Sequence, residues 1–214
     1  MKKLLYFPVI HNQTDLGSLG SELSAEGEKK YGSTNWETHL QDVENSWDRV
    51  EAEIFRLLGE MTYNKIKIYQ DGLPVDGEIG LKIIQELVNK GSKNYKIIDK
   101  LISNGAQIVT AENRDILIQE YNLVKDIINS TTEENQIKAQ LIYKEMANEI
   151  LDKRDNHIAK TINATLEEDE IGIAFFGAMH SVVDKLNEDI TVTKLDMFFD
   201  RRQADFSQQN YNNL

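Results

Sequence analysis

The feature that most constrains this chain is a set of short apolar runs set between stretches of helical periodicity. Residues 4–10 (Leu-Leu-Tyr-Phe-Pro-Val-Ile) and 172–176 (Gly-Ile-Ala-Phe-Phe) carry no charged side chain on either parity. A strand apolar on both faces is buried on both, and a parallel sheet between helical layers buries it that way. Residues 65–69 alternate around Ile66 and Ile68, residues 190–195 alternate again, and Ile108-Val109 follows Gly105 as a shorter strand. The fold class expected is α/β, with a mainly parallel central sheet of about four to five short strands covered by helices.

The intervening stretches supply those helices. Ser33, Thr34 and Asn35 offer caps to a helix with Trp36, Leu40, Val43, Trp47, Val50, Ile54 and Leu57 on one stripe. Residues 80–88 and 95–102 read as short amphipathic helices divided by Gly91. Residues 112–128 read as another, with Leu117, Tyr121, Val124 and Ile128 on one side. Ser130-Thr131-Thr132-Glu133 reads as a capping box that opens an unusually long helix, unbroken to about residue 166. Residues 181–186 read as a last short helix. Residues 11–32, rich in Gly, Ser, Asn and Glu, read as one long loop. A single domain over 1–200 is expected, with 201–214 as a polar, disordered tail.

Charge and composition remove several functions. The net charge of -12, with Lys and Arg scattered among acids, repels a phosphate backbone, so no nucleic-acid partner is expected. With no cysteine, Cys-ligated zinc, thiol chemistry and disulfides are excluded. No run approaches the ~18 apolar residues of a membrane span. The apolar run after Met1-Lys2-Lys3 is short, interrupted by Pro8 and lacks a cleavage site, so a cytoplasmic location is expected.

Two strand ends carry an internal echo. Tyr6-Phe7-Pro8-Val9-Ile10-His11 and Phe175-Phe176-Gly177-Ala178-Met179-His180 each deliver a histidine just past an apolar strand. Parallel sheets place ligand sites beyond the carboxyl ends of their strands. Two of the four histidines therefore fall where a site is built, able to hold a divalent metal or to share acid–base work. Capping of each strand by its own histidine is the plainer alternative. In the long helix, Arg154 and Asp155 interrupt the stripe Ile150, Leu151, Ile158, Ile162 and so face the core. There they form either a buried ion pair or part of a site. Asp71, past the second strand, is a further candidate that turn chemistry also explains. Asp15 and Glu22 in the loop after His11 are weaker candidates, and His39 is read as a core-border residue. No phosphate loop, nucleophile elbow or H-E-x-x-H motif is present.

Taken in order, the strand ending in His11, the Arg154-Asp155 segment followed by Ile158-Ala159, and Gly177-Ala178-Met179-His180 resemble the TraB/Tiki family. That family belongs with the ChaN-like and erythromycin-esterase-like proteins, and has G-x-x-H motifs near both ends and an R-D-x-x-(M/I)-A segment between. The resemblance implies an α/β core with the polar motifs in one pocket, and activities that include metal-dependent peptide cleavage and ester hydrolysis. It also admits iron or haem binding. By position His11 and His180 would be the motif histidines and Arg154-Asp155 the Arg-Asp pair. The chain departs from the pattern twice. Pro8 stands where the first motif has glycine, and Tyr69-Gln70-Asp71 replaces the glutamate at the second strand's end, leaving Asp71 as the available carboxylate.

The expectation is a metal-dependent hydrolase of a peptide or ester bond, with His11 and His180 holding Mn, Co or Zn. Asp71 would be a further ligand or the general base, and Arg154, oriented by Asp155, would stabilise the oxyanion. A non-catalytic ligand- or metal-binding module of the same fold is the alternative. So is a helix-mediated interaction protein, since the seven-residue recurrence in the stripe Trp36, Leu40, Val43, Trp47 leaves a homodimer open.

Overall fold

The computed structural model describes residues 1–11, 14–15 and 20–198, with only the backbone at 22, 23 and 26. The tail expected at 201–214 and the Glu22 side chain lie outside the described residues. The strands are β1 (Lys2–Val9), β2 (Ile66–Gln70), β3 (Gln107–Val109), β4 (Ile171–Gly177) and β5 (Ile190–Lys194). They form one all-parallel sheet in the order β3-β2-β4-β1-β5. The two wholly apolar runs, β1 and β4, pair with each other near the sheet's centre, Leu5 opposite Ile173 and Phe7 opposite Phe175. That placement is what their two-sided hydrophobicity demands.

Alternation then sends each strand's side chains to two separate cores. Leu5, Phe7, Val9, Ile66, Ile68, Ile173 and Phe175 meet the helices α2 (Ser33–Leu58), α3 (Gly77–Asn89) and α4 (Lys93–Ser103). Leu4, Tyr6, Tyr69, Ala174 and Phe176 meet Ile158, Ala159, Ile162 and Leu166 on the other face, where α6 (Glu133–Thr165) lies. The chain thus moves from β1 to β3 with its helices on one face and returns to β4 by the other. The reversal of direction is the topological feature that opens a crevice at the carboxyl edge.

Several elements differ from the sequence reading. The stretch 11–32 is not one loop: α1 (Gly20–Tyr31) occupies its second half. The residues from Ser21 to Lys30 include mainly helix-compatible types, and Gly27 has a packing reason. A Cβ there would lie 2.6 Å from the Trp36 ring, so glycine admits the indole of α2 against α1. The capping box is displaced as well. Thr132, not Ser130, caps α6 by accepting from Asn135 N at 3.3 Å. Ser130 donates its hydroxyl to Asp126 O and closes α5 (Arg114–Ile128) instead. The stripe on α2 ends at Leu58 rather than Leu57, and Val43, Trp47, Val50 and Ile54 pack inside the chain.

The helical pair formed by α5 and the first half of α6 stands apart. No residue of α5 joins either core, and the helix packs chiefly on α6 rather than on the sheet. On α5 the inward face is also rotated by one position from the periodicity. Tyr121 is exposed, and Glu120 turns inward.

Candidate functional site

The loops that follow β1, β2, β3 and β4 at the carboxyl edge of the sheet, together with the middle of α6, bring the polar residues into contact. Asp71 follows β2 directly, and its N–H continues the ladder to Phe175 O at 2.9 Å. Gln70 faces the α2–α4 side, like Ile66 and Ile68, so Asp71 turns toward α6. Its Oδ2 accepts from Gly177 N at 2.9 Å and lies 3.0 Å from His11 Nε2 and 3.5 Å from His180 Nε2. Gly177 is the residue that permits this approach. A Cβ there would sit 3.2 Å from Asp71 Oδ2 and within 4 Å of both histidine rings.

The second histidine is placed by a tight turn. Ala178 N donates to Val9 O at 3.1 Å, His180 N donates to Gly177 O at 3.0 Å, and the His180 ring returns over Phe176. Asp155 fixes it from α6: Oδ1 lies 2.5 Å from His180 Nδ1, and Oδ2 accepts from Ser181 N at 2.8 Å. Asp155 therefore orients His180 and not Arg154, which is a change from the role expected of it. With Nδ1 held, Nε2 is the atom directed at Asp71.

Arg154 makes its contacts with three carboxylates. Nη2 donates to Asp71 Oδ1 at 2.5 Å and to Glu112 Oε1, Nε to Glu112 Oε2 at 3.3 Å, and Nη1 to Glu120 Oε2 at 2.8 Å. Arg154 is 7% exposed, and its guanidinium is committed to charge compensation within the cluster rather than left open to a substrate oxyanion. The helical stripe explains the position: Arg154 and Asp155 continue the line of Ile150, Ile158 and Ile162 that turns to the sheet.

Glu112 and Glu120 were not among the residues expected. Glu112, 3% exposed, follows β3 just ahead of Asn113, whose side chain caps α5 through Asp115 N and Ile116 N. Its position past a strand end was the available signal, and reading the helix from residue 112 concealed it. Glu112 brings a buried carboxylate to the cluster from the end of the third strand rather than the second. Asp15 instead accepts from the Ser92 hydroxyl, the cap of α4. His39 packs beside Trp36, with centroids 5.3 Å apart, and burial lowers its pKa.

Burial alone would raise the pKa of Asp71, but Arg154, His180 and His11 outweigh it and hold the carboxyl well below the usual range. For Glu112 burial prevails over Arg154, and its carboxyl is raised. Burial opposes charge on His180, yet Asp71 and Asp155 push its pKa up to about 9; His11 is also raised, by Asp71.

One donor atom each from Asp71, Glu112 and His180 lie within 4.8 Å of one another. Ligands on one ion with bonds of about 2.1 Å stand roughly 3.4 Å apart, so closure takes a contraction on the order of 1 Å. Two carboxylates and an imidazole whose far nitrogen is held by an outer carboxylate suit Mn, Co or Zn. His11 borders this set through Asp71.

No family model, curated protein or solved structure matches the chain. No helix among the described residues is long and apolar enough to cross a membrane.

Proposed function

We propose that the chain is a metal-dependent hydrolase of a peptide or ester bond, of the TraB/Tiki kind. The observation that carries this reading is the convergence of Asp71, Glu112 and His180 at the carboxyl edge, with Asp155 behind His180. Those three residues would hold the divalent cation. When bound, the cation supplies a Lewis acid for the carbonyl and a water of lowered pKa. His11, held by Asp71 at Nε2, borders the site and exchanges the proton there. Arg154 offsets the repulsion among the carboxylates, and the rings of Tyr6 and Phe176 wall off the face beneath His180.

Assays of the Mn²⁺-loaded protein against panels of peptides and simple esters test the reading, with His180→Ala beside the wild type. Turnover by the wild type that is lost in a folded His180→Ala supports it. Equal turnover by both removes it. A second reading, a non-catalytic metal- or ligand-binding module, is favoured by Arg154, which already pairs with two of the three metal donors. Tight metal binding without turnover of either panel would select that reading.

A further inference from the structure

We propose that Glu120 is a positioning residue: it anchors Arg154 outside the metal-binding group so that Asp71 and Glu112 can turn to a divalent cation. The proposal rests on the metal reading above and concerns how the cation gains its ligands. Two of the three donors, Asp71 and Glu112, are the same carboxylates that Arg154 Nη2 holds. A guanidinium and a divalent ion therefore compete for the same oxygens. Any contact that Arg154 makes with those oxygens opposes metal entry, unless the guanidinium has another place to put its charge.

Glu120 is that place. Its Oε2 takes Nη1 at 2.8 Å, a different nitrogen from the Nη2 that holds Asp71, and Glu120 is not part of the metal-donor group. The side chain is 27% exposed, so its charge costs less in desolvation than those of the buried pair. Tyr143 lines the same crease between α5 and α6, and after burial it is Glu120 that does most to raise its pKa. Glu120 and Glu112 both come from the segment that leaves β3 and enters α5. The helix carrying the anchor is thus the one that packs on α6 and on neither core. The seating of α5 on α6 sets how firmly Arg154 is drawn off the metal ligands.

The test is calorimetric titration of the full, metal-free chain with Mn²⁺ in wild type, Glu120→Ala, Glu120→Gln and Asp115→Asn. The last removes one charge from the exposed first turn of the same helix, away from Arg154. Outer partners of metal ligands are typically worth about 10–100-fold in affinity, so Glu120→Ala is expected to bind Mn²⁺ at least tenfold more weakly. Glu120→Gln, which keeps an acceptor for Nη1, falls between it and the wild type, and Asp115→Asn changes affinity less than about twofold. In parallel the Arg154 Nε–H resonance, whose acceptor is Glu112 Oε2, is expected to persist in Glu120→Ala and to respond less to added Mn²⁺ than in the wild type. Wild-type affinity in Glu120→Ala overturns the proposal alone, as does an equal loss in Asp115→Asn. No Mn²⁺ binding by the wild type overturns the metal reading itself and this proposal with it.

Discussion

At the scale of single residues, the site is a balance of buried charge, and removing one member exposes the rest. Arg154→Met leaves Asp71 and Glu112 without their cation. Breaking a buried pair this way costs about 3–5 kcal/mol, which urea unfolding of the metal-free variant will read. Added Mn²⁺, which fills the same charge deficit, is expected to restore more stability to Arg154→Met than to the wild type. His180 carries the pH dependence. Its pKa rises on folding from about 6.5 to about 9, so its contribution is complete below pH 6.5 and is lost as pH rises through about 9. The unfolding free energy of the metal-free wild type, read by urea, should therefore fall between pH 7 and 9.5, by an amount on the order of a few kcal/mol, and His180→Gln should flatten that slope. A parallel slope in the variant would assign the effect to other groups. Asp71 acts oppositely: its depressed pKa gives stability above the ordinary carboxylate range that is lost as pH falls.

At the scale of elements, what the sequence displayed depended on how local each signal was. The apolar runs of β1 and β4 and the interrupted stripe at Arg154-Asp155 depend on neighbours two to four residues away, and they were readable. So was the delivery of His11 and His180 past strand ends. Glu112 was concealed because β3 has three residues, too few to show where a strand stops and a loop begins. Glu120 was concealed because α5 packs on another helix, where a partly polar inner face is tolerated and the periodicity points to Tyr121 instead. The partner of Asp155 was unreadable, since it depends on a turn twenty-five residues later. Gly177 tests the element-level account. Gly177→Ala places a methyl 3.2 Å from Asp71 Oδ2, and it should weaken Mn²⁺ binding while leaving the β4 pairing intact, as read by amide exchange of β1 and β4. Unaltered affinity would mean that Asp71 does not need the position it holds.

For the molecule as a whole, the two cores are joined through the sheet, whereas the α5–α6 pair is attached mainly along α6. Stability should therefore be uneven. Amides of α5 are expected to exchange through sub-global opening at a lower free energy than those of β1, β2 and β4, and bound Mn²⁺ should raise α5 protection through Glu112. Uniform protection across α5 and the sheet would contradict that division. The same pair exposes Ile118, Tyr121, Ile137, Leu141 and Ile142, whereas Val43 and Trp47 of α2 lie in the core and Trp36 packs on α1. The cluster of site residues thus joins a rigid sheet edge to its less firmly held neighbour.

The central claim is that Asp71, Glu112 and His180 form one metal site. Titration of the metal-free protein with Mn²⁺, Zn²⁺ and Co²⁺, with His180→Ala and Glu112→Gln alongside, tests it most directly. One stoichiometric site in the wild type, lost in His180→Ala and strongly weakened in Glu112→Gln, is the result predicted. No binding by the wild type, or binding that both variants retain, would contradict it.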